Sequence, residues 1–86
     1  MAKRDKLLVR VLSGASDAGI RFDDLRRLLL TLGFEERVRG SHHLFVRPGV
    51  EELVNLQREG KNAKPYQVRQ VRAVIVRYGL GGMVDA

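Results

Sequence analysis

The apolar residues of this chain change period twice, and that restricts its fold more than any other feature. Over residues 3–13 and 22–32 they recur at helical spacing. Leu7, Leu8, Val11 and Leu12 fall on one face of the first segment, and Phe22, Leu25, Leu28, Leu29 and Leu32 form a stripe on the second. From residue 34 the spacing drops to two. In FEERVR, Phe34, Glu36 and Val38 alternate with Glu35, Arg37 and Arg39, the pattern of a strand. Gly40-Ser41 fits a two-residue type II′ hairpin turn, where glycine takes the first central position. HHLFVR, 42–47, is then the returning strand, and Pro48-Gly49 a second turn. ELVNLQ, 52–57, is aliphatic enough for a third strand, and REGKNAK reads as a polar loop. Helical spacing then returns. Pro65 suits the first turn of a helix reaching to about residue 78, with Val68, Val71, Val74, Ile75 and Tyr78 on one side. Gly14, Gly33 and Gly79 stand where the three helices should stop, and ASDAG, 15–19, is loop.

The predicted order is α-α-β-β-β-α, an α+β chain. A three-stranded antiparallel meander must be covered on one face, and the second and last helices can do this, leaving the other face open to a partner. Eighty-six residues make one domain, 1–86, with room for one core. Residues 81–86 are expected to fray. There is no cysteine, which suits a reducing cytoplasm. No apolar run approaches the roughly 18 residues of a transmembrane helix. The start, MAKRDKLLVRVLSG, is basic then apolar like a secretory signal, but Arg10 interrupts the apolar stretch and a short helix is expected instead.

Charge points to a partner. Sixteen Lys and Arg face ten Asp and Glu, a net charge of +6. Such an excess fits nucleic acid or an acidic protein. Several basic residues cluster by the predicted topology. Arg37 and Arg39 end the first strand beside the hairpin, where Gly40 permits close approach and Ser41 offers a hydroxyl. Lys61 and Lys64 precede the helix that Pro65 begins. Lysines oppose the positive end of a helix dipole, and a bound phosphate relieves that conflict. Arg69 and Arg72 lie away from the valine face of the last helix. With three Phe and two Tyr, some of them needed in the core, there is no platform of exposed aromatics for base stacking. Recognition through backbone and shape fits better.

Both histidines of the chain, His42 and His43, stand directly after Gly40-Ser41. Neighbours on a strand point to opposite faces, so the two cannot chelate one ion together, and neither a metal nor another cofactor is expected. Two readings of the pair stand on the residues alone: an acid/base group acting on a phosphate-rich substrate, or imidazoles that are structural or merely exposed.

The residues also carry a resemblance. GSHHLF, with LGF upstream, AKPYQVRQVR downstream and a closing helix that ends RYGL, resembles the HicA family of bacterial and archaeal toxins. The similarity extends over most of the chain, from SDAGIRFDDLRRLLLTLGFEERVRGSHHLF to EELVNLQREGKNAKPYQVRQVRAVIVRYGL. It implies a fold like that of a double-stranded RNA-binding domain over residues 20–80, with 3–19 as an N-terminal helical extension. It implies a cytoplasmic endoribonuclease that cleaves mRNA with a histidine of the Gly-Ser-His signature, and a HicB-like antitoxin that covers the active site. The first histidine after Gly-Ser, His42, is then the catalytic choice and His43 the second candidate. Phe45 takes the place of the family's aromatic three positions on. Arg37, Arg39, Gly40, Ser41, Lys61, Lys64, Arg69 and Arg72 are the expected RNA contacts. The rival functions are a non-catalytic RNA-binding module of the same fold, and an adaptor whose basic face meets only an acidic protein.

Overall fold

Each predicted helix ends where its apolar stripe ends. In the computed structural model, which describes residues 3–83, the helices are α1 (Lys3–Ser13), α2 (Phe22–Thr31) and α3 (Pro65–Arg77). The stripe of α2, from Phe22 through Leu25, Leu28 and Leu29 to Leu32, is wholly buried. Val68, Val71, Val74 and Ile75 of α3 are buried as well. On α1 the buried residues are Leu8 and Val11, with Leu7 partly covered. Leu12, expected on the same face, is 38% exposed, so the contact stripe of α1 is narrower than its sequence suggests.

The sheet is an antiparallel meander, β1 (Glu35–Arg39), β2 (His42–Arg47) and β3 (Val50–Leu56), with β2 in the centre. Arg39 pairs with His42, so Gly40 and Ser41 alone make the turn. Gly40 has φ +59°, and among the described residues no non-glycine residue, Ser41 included, has positive φ, which is the II′ signature. One face of the sheet carries Phe45, Val54 and Leu56 into the core beneath α2 and α3. The opposite face carries Arg37, Arg39, His42, Leu44 and Asn55 and bears no helix of the described residues. The arrangement is like that of a double-stranded RNA-binding domain, with an additional helix in front.

Two segments differ from the sequence reading. The third strand begins at Val50 rather than residue 52, because the ladder slips: Phe45 pairs with Val54, but Arg47 pairs with Val50. The excess residues of β3 include Glu52, whose carboxylate accepts a 2.6 Å hydrogen bond from the Tyr78 hydroxyl at the end of α3. That bond holds the Glu52 carboxyl below the usual range and raises the Tyr78 phenol. The second difference is the expected polar loop. It is a small hairpin, β4 (Arg58–Glu59) with β5 (Asn62–Ala63). Polar side chains gave no alternation to read, yet the backbone ties the hairpin to the start of α2. Lys61 O accepts from Phe22 N at 3.0 Å and so caps α2, while Ala63 N donates to Ile20 O at 2.9 Å.

The N-terminal helix packs on both α2 and α3. Arg72 holds it there. Its guanidinium donates to Val11 O at 3.1 Å and to the Asp17 carboxylate at 2.9 and 3.3 Å. Gly14, at φ +72°, ends α1 and leaves room for that guanidinium, since a Cβ there would stand 3.2 Å from Arg72 Nη1. Arg72 was expected among the RNA contacts; it is instead turned inward as a brace. Replacing it with alanine strands a largely buried carboxylate and a carbonyl, and should cost about 1–3 kcal/mol in urea denaturation. RNA affinity of the folded fraction should be unchanged. Beyond α3 a 3₁₀ turn, Leu80–Met83, seats Leu80 in the core. The rest of the tail expected at 81–86, residues 84–86, lies outside the described residues.

Candidate active site

The hairpin alternation separates the two histidines. His43 faces the helices. Its ring meets Phe22 edge-on, with centroids 4.8 Å apart, and its Nδ1 lies 2.8 Å from Glu36 Oε2. Glu36 is gripped from the other side by Arg26 Nε, at 2.8 and 2.7 Å from its two oxygens. The Arg26 hydrogen bond, against the cost of burial and with help from His43, holds the Glu36 carboxyl below the ordinary glutamate range. Its stabilising contribution is therefore complete above the unfolded value, about 4.3, and is lost as pH falls through the lowered folded value. The denaturation midpoint should drop over that acid interval, and Glu36→Gln should flatten the drop.

His42 points the other way, exposed on the open face. Asn55 Oδ1 is 3.3 Å from its Nδ1 and Gln57 Nε2 is 3.5 Å from its Nε2. The register explains both contacts. Leu44 pairs with Asn55 and His43 with Leu56, so the strand alternation that buries Val54 and Leu56 lines Asn55 and Gln57 up beside His42. Gln57 is anchored three ways. Its backbone N–H donates at 2.8 Å to Oε1 of Gln67, a buried polar side chain of α3. Its Oε1 accepts from Lys64 Nζ at 3.3 Å, and its Nε2 donates to Ser41 Oγ at 3.4 Å.

Of the residues singled out in the sequence, Ser41, His42 and Lys64 thus meet through Gln57, and Arg39 stands across the ladder from His42. Arg37 shares the face, two residues along β1, in a loose 3.6 Å pair with Glu35 that is too exposed to hold it. Lys61 lines a different groove, at the start of α2, with Arg21, Arg27, Arg58, Asp23 and Asp24. Arg69 is exposed on α3. Gly40 has no neighbour within 4 Å of a built Cβ, so the turn conformation, and no close approach within the protein, requires glycine there. Asn55, Gln57 and Gln67 were missed in the sequence. The first two had a signal, the polar positions alternating with Val54 and Leu56, but their proximity to His42 needed the register. Among the described residues no three His, Asp or Glu gather as a metal site, and no helix is long and apolar enough to cross a membrane.

An exposed imidazole beside two amides on the open sheet of such a fold defines a class: a small basic α+β domain that presents a histidine on its free sheet face. The particular family follows from comparison. Residues 22–76, more than half of the chain, match the family described as HicA toxin of bacterial toxin-antitoxin systems, and the chain belongs to that family. It is accordingly a toxin of a toxin–antitoxin pair, with an antitoxin as partner. No curated protein and no solved structure gives a significant match.

Proposed function

We propose that this toxin is an endoribonuclease that cleaves mRNA in the cytoplasm, with His42 as general base and a HicB-like antitoxin as its partner. Neutral His42 takes the proton of a ribose 2′-hydroxyl. The 2′-oxygen attacks the adjacent phosphorus, the bond to the 5′-oxygen breaks, and that oxygen takes a proton from solvent. Histidine is the side chain best suited to take up and release a proton near neutral pH, which fits it to this step. Arg37, Arg39 and Lys64 are the cations proposed to hold the phosphates and to offset charge in the transition state. Lys61 and Arg69, exposed elsewhere, are proposed as outlying backbone contacts. The observation that carries the reading is the position of His42: exposed on the face without a helix, opposite Arg39, and joined to Lys64 through Gln57.

The test is cleavage of end-labelled RNA in EDTA, with products carrying a 2′,3′-cyclic phosphate. Binding without turnover identifies the non-catalytic RNA module. The cationic face makes a separate prediction. The logarithm of RNA affinity should fall with the logarithm of salt by about 0.7 per phosphate contact on single strands, and Arg39→Ala should reduce that slope by about one contact. Filter binding across a salt series measures both: a flat response removes the cationic face from the interface, and an unchanged slope in the variant removes Arg39.

A further inference from the structure

We infer that Gln57 and Asn55 form a hydrogen-bond chain of fixed polarity that selects the Nδ1–H tautomer of neutral His42 and so leaves Nε2 as its basic nitrogen. The inference deepens the proposed function and rests on His42 being the base. Its logic starts at Lys64. An ammonium has three donors and no acceptor, so the Gln57 atom 3.3 Å from Lys64 Nζ must be the carbonyl Oε1. The amide nitrogen of Gln57 therefore faces Ser41 Oγ and His42 Nε2, and it can only donate. His42 Nε2 must then offer its lone pair, and the ring proton sits on Nδ1. There it finds an acceptor, Asn55 Oδ1, at 3.3 Å.

The opposite tautomer would set two donors against each other at Nε2 and two lone pairs against each other at Nδ1. The chain cannot relax by turning Gln57 over, because an amide nitrogen would then meet the lysine. Nor can the Gln57 backbone drift, since its N–H is held at 2.8 Å by the buried Gln67 side chain. Tautomer matters because the two ring nitrogens are distinct groups, and the bond made by one decides the state of the other. A 2′-hydroxyl replacing the 3.5 Å Gln57 contact donates to the same lone pair, and the displaced amide keeps Ser41 Oγ. When the proton moves to Nε2, the imidazolium retains its Nδ1–H bond to Asn55. Gln57 and Asn55 are thus positioning residues, acting through His42.

Nitrogen-labelled imidazole NMR, at a pH where the ring is neutral, reads the tautomer without RNA. The full chain should show His42 protonated at Nδ1. Gln57→Glu, nearly isosteric, reverses the polarity: its carboxylate pairs with Lys64 and accepts from His42, so the neutral ring should move to the Nε2–H form. Single-turnover cleavage at saturating RNA should fall roughly 10²-fold in that variant. Asn55→Asp keeps an acceptor at Nδ1. It should retain the Nδ1–H form and most of the cleavage, with the acid limb of the rate profile moved to higher pH, since a neighbouring carboxylate favours the charged imidazole. An Nε2–H ring in the wild type, or a Gln57→Glu ring unchanged from it, overturns the inference. An active His42→Ala protein instead defeats the base assignment, and leaves the tautomer measurement to stand by itself.

Discussion

Replacing His42 with alanine should reduce RNA cleavage by about 10²–10⁴-fold, the usual contribution of one positioned base, and should abolish toxicity in cells. The melting temperature should scarcely move. The ring is exposed, and its two amide contacts are the long ones, 3.3 and 3.5 Å, so stability should change by no more than about 0.5 kcal/mol. His43→Ala should behave in the opposite sense. It removes the edge contact with Phe22 and one of the bonds to Glu36, a loss of about 1–3 kcal/mol, so its activity should decline only with the folded fraction. Cleavage rates beside thermal melts on the two variants separate the roles. If His42→Ala cleaves normally while His43→Ala is folded and inactive, the assignment reverses.

The largest stability effect is expected at Phe45. Its ring is fully buried from the central strand, with Val54 opposite it on β3 and Glu36 opposite it on β1. Phe45→Ala should cost about 3–5 kcal/mol through lost transfer energy and the cavity left behind. Domains of this kind have only about 5–15 kcal/mol to lose. Urea denaturation should therefore show a transition shifted far toward zero denaturant, with a substantial unfolded population already in buffer. A loss below about 1 kcal/mol would mean the sheet repacks around the gap. Phe45 and His43 share a face of β2 and His42 takes the other, so the same register governs both predictions.

Much of this was legible in the sequence because it is local. The stripe from Phe22 to Leu32, the switch to alternation at Phe34, Gly40-Ser41 as a II′ turn and Pro65 at the start of α3 each depend on a few adjacent residues. Each is found as read. The start of β3 was not legible, because a slip in the ladder depends on the partner strand and on Tyr78 reaching Glu52 from α3. The β4–β5 hairpin escaped notice because two-residue polar strands have no hydrophobic period.

The site divides in the same way. By itself the sequence determined that two histidines stand on opposite faces of a strand behind a tight turn, that the chain is basic, and that its elements run α-α-β-β-β-α, since strand alternation, charge and hydrophobic period are properties of neighbours. Only the tertiary structure decided which histidine lies under α2 beside Glu36 and Arg26, that Arg72 braces α1 through Asp17, and that Lys64 reaches His42 through Gln57. Each of these depends on which strand position meets which, and on how helices far apart in sequence settle on one sheet. A one-residue slip in register would exchange the faces of a strand without altering a single letter of its sequence.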